Sequence, residues 1–246
     1  MMSLSRLRSG LAQLRVSEFA MKASRCPYCG PTVFVRLRRD AVGVRCVRCA
    51  ASAIHLAIGW ALREYAGRLE DRDVCELSAR GPLAEFLRRT ARSAATSEYF
   101  ADVASGTWRN GVRCEDVQHL SYADASFDLV THTEVLEHVP DDARAFAELY
   151  RVLRPGGMMI FTVPMHDGAQ TVERARLRDD GIEYLQEPVY HLDPLRNEGI
   201  LAFRDYGRDI LDRLLAAGFV GPIVFDASRR VPWIDGVRAI CARKSA

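Results

Sequence analysis

The fold of this chain is decided by residues 126–164, which read SFDLVTHTEVLEHVPDDARAFAELYRVLRPGGMMIFTVP. The pattern predicts a buried strand at 127–131, an amphipathic helix at about 141–153, and a second buried strand at 158–163 after a Pro-Gly-Gly turn. Strand, helix and strand in this order form half of a doubly wound α/β sheet. Because ligands of such sheets bind beyond the carboxyl ends of the strands, we expect a functional site near residues 131–138.

The composition of the 246 residues, with 48% hydrophobic and 27% charged, is typical of a globular protein. The length allows one large α/β domain and a small accessory module. No apolar run approaches the roughly 18 residues that span a bilayer, and the N-terminal residues lack the apolar core of a signal peptide. We therefore expect a cytoplasmic protein without a membrane segment.

Four of the seven cysteines form two C-x-x-C pairs with sixteen residues between them, Cys26 with Cys29 and Cys46 with Cys49. Such pairs can bring four thiolates to one ion at about 2.3 Å in a closed tetrahedron, so the spacing favours a zinc ribbon with structural zinc. The intervening residues predict two short strands around a turn at 40–43, a hairpin that would bring the pairs together. Iron in a rubredoxin-like site and disulfides are the alternatives.

Basic residues are concentrated at the N-terminus, where residues 1–50 contain ten Arg and Lys but only two acidic residues. The sequence leaves two explanations open: a polyanionic partner such as RNA, or arginines that offset the charge of a zinc–tetrathiolate site. Apolar residues at helical spacing follow the second cysteine pair. We thus divide the chain into a basic tail at 1–25, a zinc ribbon at 26–50, a linking helix at 51–70 and an α/β domain at 71–246.

An acid-and-histidine cluster follows the first strand of the opening segment. Glu134, Glu137 and His138 lie at positions i, i+3 and i+4, which share one face of a helical turn. Two carboxylates and an imidazole on one face can form part of the coordination shell of a divalent cation. The same residues can also act as a metal-free base, or they can have a purely structural role.

Four sequence motifs in a fixed order, FDLV, EVLEHVPD, RVLRPGG and FTVP, resemble those of the class I S-adenosylmethionine-dependent methyltransferases. The resemblance, methyltransferase type 11-like in its motifs, extends over about residues 71–244. It implies a doubly wound, Rossmann-like sheet of seven strands, the last of which, at 237–243, runs antiparallel. It also implies S-adenosylmethionine as the methyl donor. The acceptor that we expect is a hydroxyl group of a small molecule.

The resemblance also implies where the cofactor lies. In the family, an acid is followed by a glycine-rich turn, but this chain reads ELSARG, with Ser78 at the first glycine position and only Gly81 remaining. Glu98, at the end of the second strand, would accept hydrogen bonds from the ribose. Asp116, at the end of the third strand, would meet the adenine amino group, with Val117 beside the ring. The expected cofactor contacts are Glu76, Ser78, Gly81, Glu98, Asp116, Val117 and Thr133.

The E-x-x-E-H pattern further resembles ubiquinone-biosynthesis catechol O-methyltransferases and small-RNA 2′-O-methyltransferases, in which a later histidine completes a site for a magnesium-like ion. We expect His191 to complete it here, with His166 as the alternative. The candidate catalytic residues, and ligands of Mg or another divalent cation, are Glu134, Glu137, His138 and His191. The insertion at 166–203 would cover the acceptor pocket, with Arg174, Tyr184 and Tyr190 as candidate pocket residues. The alternatives are an RNA methyltransferase that binds RNA through residues 1–50, and a non-catalytic binding module.

Overall fold

The structure is a computed structural model that describes residues 18–40, 43–192, 199–233 and 235–246. Its N-terminal cysteine region is an antiparallel sheet of β1 (Ala20–Cys26), β2 (Gly30–Arg36) and β3 (Val44–Cys46). β2 and β3 form the expected hairpin, and β1 pairs with β2 along its whole length. Because of this pairing, residues 20–25 lie in the ribbon sheet and not in the tail predicted at 1–25. Residues 1–17 of that tail are outside the described residues.

The linking segment contains one helix, α1 (Ala53–Tyr65), and a short 3-10 turn (Leu69–Asp71). The buried face of α1 joins the ribbon to the main sheet. Phe34 of the ribbon, Leu62 of α1 and Ile160 of the main sheet belong to one continuous cluster of buried side chains. The ribbon is therefore built into the main hydrophobic core and is not a separate appendage.

The first half of the α/β domain contains two helices, α2 (Pro82–Thr90) and α3 (Asp142–Val152). Pro82 occupies the first turn of α2, where its missing N–H costs no hydrogen bond. The Asp141 side chain caps α3 by accepting a hydrogen bond from the Arg144 backbone N–H at 2.9 Å. The strands of this half are β4 (Asp73–Glu76), β5 (Ser93–Glu98), β6 (Trp108–Arg109), β7 (Val112–Cys114), β8 (Phe127–Thr133) and β9 (Leu153–Thr162).

The insertion after β9 consists of short antiparallel strand pairs. β10 pairs with β15, β11 with β12, and β13 with β14. The strands are β10 (Val172–Glu173), β11 (Ala175–Arg178), β12 (Gly181–Tyr184), β13 (Tyr190–Leu192), β14 (Gly199–Leu201) and β15 (Arg204–Asp205). The β10–β15 pair brings the two ends of the insertion together beside β9.

The chain closes with α4 (Ile210–Ala216), β16 (Val220–Asp226) and β17 (Arg238–Arg243). The main sheet has the order β16-β17-β9-β8-β4-β5-β7-β6, and β17 runs antiparallel to both of its neighbours. This confirms the predicted Rossmann-like α/β sheet, with one difference. The described part has eight strands instead of seven, because the two-residue strand β6 pairs at the edge. None of the helices in the described ranges has the length and apolarity to cross a membrane.

Candidate active site

The four paired cysteines lie together in the ribbon. The Sγ atoms of Cys26 and Cys49 are 3.6 Å apart, and those of Cys29 and Cys46 are 3.5 Å apart. A disulfide bond would need about 2.05 Å, whereas a tetrahedron of roughly 2.3 Å bonds has sulfur separations of about 3.8 Å. The cysteines are free thiols, and their arrangement is that of a four-cysteine cluster consistent with a zinc ribbon.

The electrostatics of the cluster also favour a bound cation. Burial, together with the neighbouring thiols, raises the pKa of Cys29 to about 12. Hydrogen bonds with the neighbouring thiols likewise raise the pKa of Cys49. Four crowded thiolates repel each other, so they can all ionise only around a positive ion. The donor set therefore fits zinc.

The arginines around this cluster contact the ribbon itself. Arg48 donates to the carbonyl oxygens of Cys29 at 2.7 Å and of Pro31 at 3.1 Å. Arg38 pairs with Asp40 at 3.0 Å, and Arg36 lies over the Trp233 ring at 5.5 Å. These contacts give Arg36, Arg38 and Arg48 a role in stabilising the ribbon.

The cofactor loop, residues 77–81, connects β4 to α2 at the carboxyl edge of the sheet. Gly81 caps α2 with a φ of 96°, a conformation that favours glycine. Glu98, at the end of β5, accepts hydrogen bonds from the Ala79 N–H at 3.0 Å and the Ser78 hydroxyl at 3.3 Å. The structure therefore brings the expected cofactor residue Glu98 into contact with the loop that contains two others, Ser78 and Gly81.

Glu76 ends β4 beneath this loop and is almost fully buried, with 1% of its surface exposed. The Thr131 hydroxyl on the neighbouring strand donates to its carboxylate. Burial raises the pKa of Glu76 to about 8. A protonated Glu76 can hydrogen-bond within the sheet without leaving a buried charge.

The remaining expected cofactor residues lie further along the same edge. Asp116 follows β7 and accepts hydrogen bonds from the backbone N–H of Gln118 at 2.9 Å and from its side chain at 3.2 Å. Val117 is buried beside it. Thr133 ends β8, opposite Thr162 of β9. The carboxyl ends of β7 and β8 thus carry these three residues.

The strongest candidate for the reaction centre is the group formed by Glu137, His138 and His191. Ligand atoms of these residues all lie within 4.8 Å of one another. Glu137 Oε1 is 3.6 Å from His138 Nε2 and 3.7 Å from His191 Nδ1, and the two imidazole rings meet edge to face. His191 comes from β13 of the insertion. The structure therefore joins residues that are more than fifty positions apart in the chain.

Glu137 is fully buried, and neither of its carboxylate oxygens has a hydrogen-bond partner among the described residues. His138 Nδ1 lies 2.9 Å from the Leu201 carbonyl oxygen, which only accepts, so Nδ1 carries the proton. The Nε2 atom of His138 is the ring nitrogen closer to the Glu137 carboxylate, at 3.6 Å. A proton or a cation between these two atoms would stabilise the buried carboxylate.

The Glu137 carboxylate shifts the pKa values of two neighbouring groups, His191 and Glu134. The Glu137 carboxylate raises the pKa of His191 above its usual 6.5. Burial, and then repulsion from Glu137, raise the pKa of Glu134 to about 8. The site is therefore short of positive charge, as expected for one that binds a cation or holds a proton.

Glu134 does not join this group, although the sequence placed it on the same helical face. Only Leu136–His138 forms a 3-10 turn, and Glu134 precedes it with a φ of 51°. Its N–H remains bonded to the Thr162 carbonyl at 3.0 Å. His166, the alternative completing histidine, accepts a hydrogen bond from the Gly168 N–H at 3.0 Å and also lies outside the group.

Arg204 is a positioning residue that sequence reasoning missed. It is 3% exposed and donates to the carbonyl oxygens of Leu136 at 3.1 Å, Val139 at 2.5 Å and Pro140 at 2.8 Å. In the adjacent residue, the Phe203 N–H donates to the Glu137 carbonyl at 2.7 Å. These bonds hold the turn that carries Glu137. The sequence signal for this role is weak, because Arg204 merely follows the apolar residues 201–203.

Arg174, Tyr184 and Tyr190, the expected pocket residues of the insertion, are paired or half exposed. Arg174 pairs with Asp205 at 2.6 Å. Tyr184 and Tyr190 are half exposed on the short strands β12 and β13. Residues 193–198, between β13 and β14, are outside the described residues.

Comparison with known proteins points to one family. Residues 79–161 match the family described as a methyltransferase domain. Over 107 residues the chain is 34% identical to a protein of Mycolicibacterium smegmatis named Probable S-adenosylmethionine-dependent methyltransferase. This alignment covers 42% of each of the two chains. Over 132 residues the chain is 26% identical to the Ubiquinone biosynthesis O-methyltransferase of Coxiella burnetii, and the alignment covers 42% of this chain and 54% of the other. The chain thus spans about half the length of these curated relatives.

A solved structure of an S-adenosylmethionine dependent methyltransferase from Mesorhizobium loti has a similar fold, with a TM-score of 0.51. The sequences are 18% identical, and the alignment covers 78% of this chain and 100% of the other. At this identity the similarity is one of fold.

Proposed function

Because the chain belongs to the class I S-adenosylmethionine-dependent methyltransferases, with an N-terminal four-cysteine cluster consistent with a zinc ribbon, we propose that it methylates a hydroxyl group of a small molecule. The observation that carries this proposal is the buried Glu137 carboxylate, which faces His138 and His191 without a hydrogen-bond partner in the described ranges. This arrangement suits an acceptor that must lose a proton.

The cofactor would lie along the carboxyl edge of the sheet. The residues that would hold it are those of the cofactor loop, Glu98 after β5 and Asp116 after β7. Their N–H donors and two carboxylates suit a carboxylate, a diol and an amine. When bound, S-adenosylmethionine supplies a methyl group on a positively charged sulfonium. The role of the chain is to align the acceptor with that methyl group.

Proton removal would be the task of the Glu137 group. A hydroxyl hydrogen-bonded to His138 Nε2 can transfer its proton there, and the nearby Glu137 carboxylate stabilises the resulting imidazolium. His191, whose pKa Glu137 raises, offers a second basic nitrogen. A divalent cation bound by Glu137, His138 and His191 would lower the pKa of the acceptor hydroxyl. The closeness of the three ligand atoms, within 4.8 Å of one another, favours the cation.

We also propose that the ribbon binds structural zinc through Cys26, Cys29, Cys46 and Cys49, since four thiolates leave no coordination position for a substrate. RNA binding through residues 1–50 is less well supported. The described arginines that contact the ribbon, such as Arg48 and Arg38, have intramolecular partners.

Replacing Glu137 with glutamine tests both the site and the cation. We expect the Glu137→Gln variant to lose the weak binding of added Mn²⁺, measured by electron paramagnetic resonance on zinc-loaded protein, because the neutral amide is a poor ligand. Transfer of radiolabelled methyl groups to a panel of catechols, phenols and sugars should fall by about a hundredfold or more. The fold should remain, because the two side chains have the same shape.

Glu183→Gln is the matched control, since Glu183 is an exposed acid that pairs with Arg178 on the insertion hairpin. It should leave Mn²⁺ binding and methyl transfer unchanged. Methyl transfer by the wild type without any Mn²⁺ binding would exclude the cation and leave the metal-free base. Methylation of amine acceptors alone would contradict the hydroxyl proposal.

A further inference from the structure

We propose that His55 is a positioning residue for the cofactor loop and that it connects this loop to the zinc ribbon. The inference rests on the proposed function, because it assumes that the loop at 77–81 holds the methyl donor. It extends that function by giving the ribbon a part in cofactor binding. His55 lies in α1, outside the residues that match the methyltransferase domain family.

The cofactor loop needs support from outside itself. Serine, alanine and arginine at 78–80 replace the glycine-rich turn, and only Gly81 has a positive φ within the loop. A methyl group built on Gly81 would have one neighbour within 4 Å in the described part of the chain, His55 Nε2 at 3.7 Å. The imidazole thus faces the residue that caps α2 and ends the loop, across a space of about one methyl group.

The position of His55 is fixed from two sides. Its Nδ1 atom is 2.7 Å from the Ser52 hydroxyl, at the start of α1. Its carbonyl oxygen accepts a hydrogen bond from the hydroxyl of Tyr28. Burial lowers the pKa of His55 to about 4, so the ring is neutral and can occupy this apolar surrounding without a counter-ion.

Tyr28 belongs to the first knuckle of the ribbon, residues 26–29, between two of the metal-binding cysteines. Its buried ring packs on Phe86 of α2, with 5.1 Å between the ring centroids. The same tyrosine therefore contacts both the helix that follows the cofactor loop and the residue that supports the loop.

The knuckle is docked firmly on α1. A methyl group at Gly59 would come within 2.6 Å of Pro27 and 2.7 Å of Tyr28, so only glycine allows this approach. Arg63, one turn further along α1, donates to the Pro27 carbonyl at 2.8 Å. Contacts thus lead from the metal-binding knuckle through Tyr28 to His55, whose imidazole faces Gly81.

The test is a calorimetric titration of the full-length, zinc-loaded chain with S-adenosylhomocysteine. His55→Leu keeps an apolar side chain of similar volume but loses the nitrogen that faces Gly81, so we expect its Kd to rise about tenfold or more. His55→Gln, which restores a polar group, should recover part of this loss. Zinc content should remain that of the wild type in both variants. Hydrogen exchange should increase locally at residues 78–81.

Glu64→Gln is the matched control on the same helix, since Glu64 faces solvent and pairs with Arg230 at 2.9 Å. It should leave the Kd unchanged. If His55→Leu does not fold, Tyr28→Phe decides, because it removes only one hydroxyl group and should also weaken binding. An unchanged Kd in a folded His55→Leu variant, or in Tyr28→Phe, would overturn the inference. Failure of the wild type to bind S-adenosylhomocysteine would instead refute the proposed function.

Discussion

Replacing Cys46 with serine should destabilise the entire chain and not the ribbon alone. Cys46 is buried, and it shares one core cluster with Val74, Leu129 and Ile160 of the main sheet. Zinc contributes about 10–16 kcal/mol to the folding of isolated zinc modules, so the loss of one ligand removes a large part of this stabilisation. We expect the protein to lose its zinc and the thermal transition of the α/β domain, followed by near-ultraviolet circular dichroism, to fall by about 10 °C or more.

Cys241→Ser is the matched control, because Cys241 is a buried cysteine of the same core that lies outside the four-cysteine cluster. It should retain full zinc content and lose much less stability. The interpretation would be contradicted by a Cys46→Ser protein that has lost zinc but whose α/β domain melts at the wild-type temperature. That result would mean that the ribbon folds independently.

Replacing Arg204 with methionine should have the second large effect. The guanidinium donates to three backbone carbonyls and to Glu173 at 3.2 Å, and its Nε lies 3.6 Å from Asp142 Oδ2. Methionine fills similar space but leaves the carbonyls without these donors. Removing one member of a buried ionic network costs about 3–5 kcal/mol, although Arg213, which also pairs with Asp142 and Glu173, compensates in part. Urea denaturation measures this loss.

Arg178→Met is the corresponding control at an exposed ion pair with Glu183. We expect a change of roughly 1 kcal/mol or less, as for other surface pairs. Arg204→Met should also lower Mn²⁺ binding, because the turn that carries Glu137 loses its anchor. A loss of stability no greater than that of Arg178→Met would show that Arg204 does not hold this turn.

The sequence was sufficient for the fold class and the family because both depend on local patterns. Two buried strands and an amphipathic helix lie within residues 126–164, and the structure confirms the first strand and the helix to within two residues. The predicted Pro-Gly-Gly turn is instead part of β9, which begins at Leu153 and shifts its register with β8 at this segment. The four cysteines were recognisable from spacing alone. By contrast, β1 has an irregular sequence, AMKASR, and is a strand only because it pairs with β2. Local patterns do not contain this tertiary pairing.

The candidate site was only partly predictable for a related reason. The spacing of Glu134, Glu137 and His138 assumed a regular helical turn, but the positive φ of Glu134 places that residue before the turn. His191 was expected from a resemblance, and its position depends on how the insertion folds back over β8. The roles of Arg204 and His55 depend on carbonyl oxygens and a glycine from distant segments. No periodicity in the sequence reports such contacts.

We propose that the carboxyl edge of the sheet binds S-adenosylmethionine in spite of its altered cofactor loop. Titration of S-adenosylhomocysteine into the wild-type, zinc-loaded chain, followed by calorimetry and thermal unfolding, tests this directly. We expect saturable one-to-one binding and an increase in Tm with ligand concentration. The proposal would be contradicted by the absence of both heat and a thermal shift at millimolar ligand.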